Sequence, residues 1–85
     1  MGRGPDKQRG KMTGFDFYKL RKRLRLNQRA MGRLMGTFQS TVSRWENADA
    51  VPPIAARFAL VLDIVTRLGV SPEEITARLG IHEKR

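Results

Sequence analysis

Apolar positions recur at three- and four-residue intervals through most of this chain, and nowhere do they alternate as in a strand. Phe17, Leu20 and Leu24 share one face of a helix predicted from about Asp16 to Leu26, with Asp16 near its start complementing the helix dipole. Met31, Leu34 and Met35 mark a second helix over about 28–35, which Asn27 can cap and Gly36 can end in the left-handed conformation. Val42 and Trp45 mark a third over about 39–46, with Asn47 expected as a left-handed stop. After a loop from Ala48 to Pro52, Pro53 suits the first turn of a fourth helix reaching about Leu68, where Gly69 stops it. Its stripe is broad: Ile54, Phe58, Val61 or Leu62, Val65 and Leu68. Ser71-Pro72-Glu73-Glu74 is a helix start, predicting a fifth helix to about Leu79, before Gly80. Gly32, in mid-helix, costs about 1 kcal/mol relative to Ala, and close approach of the third helix is the expected compensation. The pattern predicts an all-α fold of five helices.

Composition narrows this further. Eighty-five residues make one domain with a marginal core, for which oligomerisation is a common remedy. There is no Cys, hence no disulfide, thiolate nucleophile or Cys-based metal site, and nothing indicates an oxidising compartment. The longest apolar-rich segment, Ile54 to Val65, is interrupted by Arg57 and Asp63, so no membrane span is expected. The N-terminal bases are followed by no apolar signal core, and a cytoplasmic protein is expected. Residues 1–14 hold four of the eight glycines and are expected to form a flexible basic arm, leaving 15–82 as the domain. The net charge is +9: residues 1–14 supply +3, residues 15–35 supply +6, and the remainder is neutral. A basic excess confined to one part of the chain suits a polyanion bound on one face.

Residues 27–47, NQRAMGRLMGTFQSTVSRWEN, combine these signals as helix, glycine turn and helix, the layout of a helix-turn-helix whose second helix enters the DNA major groove. Gln39, Ser40, Thr41 and Arg44 are the candidates for base contact: Gln pairs bidentately with adenine and Arg with guanine. Arg29, Ser43, Asn47 and the turn at Phe38 are the candidates for phosphate contact.

The stretch resembles the phage repressor/Cro (XRE) family of helix-turn-helix proteins. The matching residues are Asn27-Gln28, the small residue at Gly32, the turn at Gly36 and the run Gln39 to Glu46, with the resemblance extending from about Phe17 to Ser71. It implies a compact repressor-type domain, a phosphate contact from Gln28, and an ion pair between Arg21 and Glu46 that orients the recognition helix. Such a pair, if exposed, is worth about 0–1 kcal/mol. Two residues depart from the family pattern. Phe38 stands where Ser or Thr usually caps the recognition helix, so Thr37 takes over the cap or the amides face phosphate. Phe38 is a candidate for a thymine methyl or sugar, or packs as a turn residue. Thr37 replaces a usually apolar core residue. Trp45 is expected as a partly buried core or rim residue. Sole His82 lacks ligand-type neighbours beyond Glu83, and no metal or cofactor is expected.

The apolar surplus of the C-terminal third predicts a homodimer through helices four and five, using Val61, Leu62, Val65, Leu68, Ile75 and Leu79. The functional expectation is a sequence-specific regulator without catalytic activity, binding double-stranded DNA and itself. The resemblance points to a repressor of a phage or mobile-element operon, an anti-CRISPR operon among them. Two other readings stay open: the antitoxin of a toxin–antitoxin pair, with a toxin as protein partner, and an RNA- or protein-interaction module.

Overall fold

The computed structural model describes residues 11–81, so His82 and residues 1–10 of the expected arm lie outside them. Five helices follow in order: α1 (Gly14–Leu24), α2 (Gln28–Met35), α3 (Gln39–Glu46), α4 (Pro53–Arg67) and α5 (Pro72–Arg78). No strand occurs among the described residues.

The chain enters the fold earlier than its composition suggests. Thr13 caps α1: its hydroxyl accepts the Asp16 N–H at 3.0 Å, and the Asp16 carboxylate accepts the Thr13 N–H at 3.1 Å. This reciprocal capping box starts the helix two residues before the expected Asp16. The Thr13 N–H, with the Thr13 hydroxyl behind it, holds the Asp16 carboxyl below the ordinary carboxylate range. Met12 is buried in the core, its carbonyl accepts the Val51 N–H at 2.8 Å, and the Gly14 N–H donates to the Ala48 carbonyl at 3.1 Å. Residues 12–14 therefore belong to the domain rather than to the arm. Gly14 is required by space: a Cβ there would lie 2.5 Å from the Glu46 carbonyl oxygen and 2.6 Å from that of Ala48.

α1 ends at Leu24, short of the expected Leu26, because Arg25 takes the left-handed conformation at φ 64°. The Leu26 N–H then returns to the Arg21 carbonyl. A left-handed non-glycine residue costs on the order of 1–2 kcal/mol. The α2 ends are as expected: Asn27 accepts the Ala30 N–H at 2.7 Å, and Gly36 is left-handed at φ 82°. Asn47, in contrast, is not left-handed (φ −100°, ψ 4°). Its side-chain amide donates to the Ser43 carbonyl at 2.9 Å instead, finishing α3 with its own polar group.

The core gathers Phe17 and Leu24 of α1, Met31 and Leu34 of α2, Val42 of α3, and Ala55, Ala59 and Leu62 of α4. Trp45 meets Phe17 edge-on, with ring centroids 5.7 Å apart. Arg23 ties α1 to α4: its guanidinium pairs with the Asp63 carboxylate and donates to the Thr66 hydroxyl at 2.8 Å, while Arg67 holds the other Asp63 oxygen. The sequence gives no local sign of this bridge, whose partners lie about forty residues apart.

Candidate nucleic-acid interface

The α3 helix is seated by its neighbours at both ends. At its start, the glycine at 32 lets the turn lie close: a Cβ there would fall 3.1 Å from the Thr37 carbonyl oxygen and 3.1–3.2 Å from the Phe38 carbonyl group. The close approach is thus to the turn and to the N-cap carbonyl that opens α3, as the third-helix contact expected at this glycine. At its end, Glu46 accepts from Arg21 Nε at 2.5 Å and Nη2 at 3.2 Å, and Arg21 Nη1 donates to the Leu26 carbonyl at 2.9 Å. The two side chains are only 8% and 7% exposed, so the pair is buried and the value for an exposed pair does not apply. Burial makes breaking it costly, since either partner alone would be an uncompensated charge. Gln28 joins them, its Nε2 donating to Glu46 Oε1 at 3.0 Å. A primary amide carries two N–H groups. One of Gln28's is engaged with Glu46, which orients the other. The link from Gln28 to Glu46 was not legible in the sequence.

With Val42 buried and Trp45 and Glu46 turned inward, the opposite face of α3 is polar. Gln39, Ser40 and Arg44 are exposed, and Ser43 is half-buried beside them. At about 100° per residue these four occupy one side of the helix. Thr41 is half-buried and falls away from that side, toward Trp45. Gln28, Phe38, Gln39, Ser40 and Ser43 line one shallow concavity. Arg29 is exposed in the first turn of α2, following Gln28 in the chain.

Phe38 is the N-cap residue of α3, but no side chain caps the helix, so Thr37 does not take over that task. The Thr37 N–H instead donates to the Gly32 carbonyl at 2.7 Å. Phe38 is 77% exposed, so it does not pack as a turn residue.

The apolar residues assigned to an interface divide. Leu62 is 2% exposed and belongs to the core, which removes it from any contact with a second molecule. Val65 and Ile75 are half-buried, and Ile75 packs against the core. Val61, Leu68 and Leu79 are exposed, as are Ile54, Leu60 and Ile64. On α4 this exposed stripe lies opposite the buried Ala55, Ala59 and Leu62, so the helix is apolar on two faces. Periodicity could not tell those two faces apart.

Among the described residues no group of His, Cys, Asp and Glu is placed to hold a metal ion, and no helix is long and apolar enough to cross a membrane. The family model of the helix-turn-helix domain matches residues 18–79, well over half of the chain, and the chain belongs to that family. No curated protein and no solved structure matches it.

Proposed function

We propose that this helix-turn-helix protein is a sequence-specific DNA-binding repressor that acts as a homodimer on a palindromic operator. The observation that carries the reading is the polar face of α3, held outward by the buried Arg21–Glu46 pair that Gln28 joins. Gln39, Ser40 and Arg44 read base edges, with Thr41 at the margin. Gln28, Arg29 and Ser43 hold phosphates, Gln28 through its second N–H. Asn47 contributes less than its position suggests, because its amide is engaged with the Ser43 carbonyl. Repression follows by occlusion: two recognition helices in successive major grooves cover a promoter. The setting in a phage or mobile-element operon rests on the resemblance alone.

Selection of binding sites from a random duplex pool tests the reading, with a palindrome as the expected product. On that palindrome, Arg44→Ala should weaken binding by about 1–3 kcal/mol and relax the preference at one base pair per half-site. Equal loss on specific and random duplexes would make Arg44 a phosphate contact.

The second copy is assigned to the exposed stripe of α4. Val61, Ile64 and Leu68 together form a contiguous exposed apolar stripe that a second copy would cover. Leu68, 78% exposed, can take a charge without disturbing the core. Leu68→Glu is expected to convert a dimer to a folded monomer, read by light scattering and circular dichroism at micromolar protein. A monomeric parent protein, or one that co-purifies with a toxin instead of itself, would overturn the homodimer.

A further inference from the structure

We propose that Phe38 reads the C5 methyl group of a pyrimidine, thymine or 5-methylcytosine, at one position in each half-site. The inference rests on the DNA-reading role of α3 given above. Phe38 immediately precedes Gln39 and Ser40 and lines the same concavity with them. The residue is 77% exposed, and its neighbours there are polar: Gln28, Gln39, Ser40 and Ser43. Its backbone is fixed nonetheless. The Phe38 carbonyl accepts the N–H groups of Thr41 and Val42 at 3.0 and 3.1 Å, and the turn beneath is packed against Gly32. The ring is therefore held out from a rigid base into the surface that meets the groove.

The chemistry of the ring selects its target. A phenyl group has no polar atom to bond a phosphate oxygen, so the phosphate contact expected at this position cannot come from the side chain. The edges of the base pairs in the major groove are donors and acceptors, with one apolar exception, the pyrimidine C5 methyl. Sharing that methyl, thymine and 5-methylcytosine are equivalent for the ring and differ only at the polar edge that Gln39 and Ser40 read. Uracil and cytosine lack it.

The test uses the full chain and the palindromic duplex that it selects. Each thymine is replaced in turn by uracil, and each cytosine by 5-methylcytosine, with binding measured for the parent and for Phe38→Ala. At one position per half-site, loss of the methyl should weaken the parent about four-fold, the worth of one buried methyl-sized group. Phe38→Ala should be weaker on the methylated duplex by a similar factor and indifferent to the methyl. Because the ring is exposed, the variant should keep the parent's helical signal. A Phe38→Ala loss that is the same on every duplex would place the ring on a sugar and overturn the proposal. So would a parent insensitive to methyl removal everywhere. Failure to select any duplex would instead overturn the DNA-reading role on which the inference rests.

Discussion

Glu46→Ala is expected to destabilise the domain by about 3–5 kcal/mol, because it leaves the Arg21 guanidinium buried without its counter-charge. That is a large part of the stability available to a chain of this size. Arg21 would keep only the Leu26 carbonyl as acceptor, and Gln28 would lose the carboxylate that orients it. Urea denaturation of parent and variant gives the difference from the shift in midpoint. Replacing both charges, as in Arg21→Met with Glu46→Leu, should cost much less than either single change, since no unpaired charge remains. The Leu26 carbonyl would still lose a donor and prevent full recovery. A loss below about 1 kcal/mol for Glu46→Ala would show that the pair behaves like an exposed one.

DNA affinity should fall steeply with salt. The excess charge of residues 15–35 sits on α1 and α2, but not all of it is available to a polyanion. Arg21 is engaged with Glu46 and Arg23 with Asp63. Lys19, Lys22, Arg25 and Arg29 are exposed, as is Arg44 of α3. If a dimer neutralises roughly six phosphates, affinity drops on the order of 10³-fold between about 50 and 200 mM salt. Measuring the binding constant across that range gives the slope directly. A nearly flat response would remove phosphate from the interface. A slope far steeper would bring residues 1–10, with Arg3, Lys7 and Arg9, into contact with the backbone.

Much of the fold could be read because its signals are local. Asn27, Gly36, Pro53, Gly69 and the Ser71-Pro72 pair each act on the backbone within a few residues, and the helices they bound lie where expected. Thr13 and Asp16 have capping-box spacing, which was available to sequence reading. The glycine-rich composition around them masks it, and the domain begins before residue 15, at Met12. Asn47 misled for a related reason: its preference for the left-handed region competes with a side-chain bond to the preceding turn, and here that bond prevails. The register of α3 was legible, and Gln39, Ser40 and Arg44 do lie together on its exposed face. Its support was less so. Arg21 and Glu46 came from resemblance, and their burial, the addition of Gln28 and the Arg23–Asp63 bridge depend on packing between distant segments. Leu62 was assigned to the wrong face because an amphipathic pattern loses its meaning on a helix that is apolar on both sides.

The seating of α3 bears on the thermodynamics of any encounter. Gly14 meets the backbone beyond its last turn, Glu46 is held from the side, and the turn before its first residue lies against Gly32. Conformational entropy is therefore surrendered when the domain folds, at about 1–2 kcal/mol for each ordered residue. None of that backbone loss is left to be incurred when a groove is met, so the contacts made there are offset only by side-chain ordering and by the loss of overall motion. If α3 meets DNA as it stands, association is limited by encounter and orientation, and changes on the α3 face express themselves mainly in how long the complex lasts.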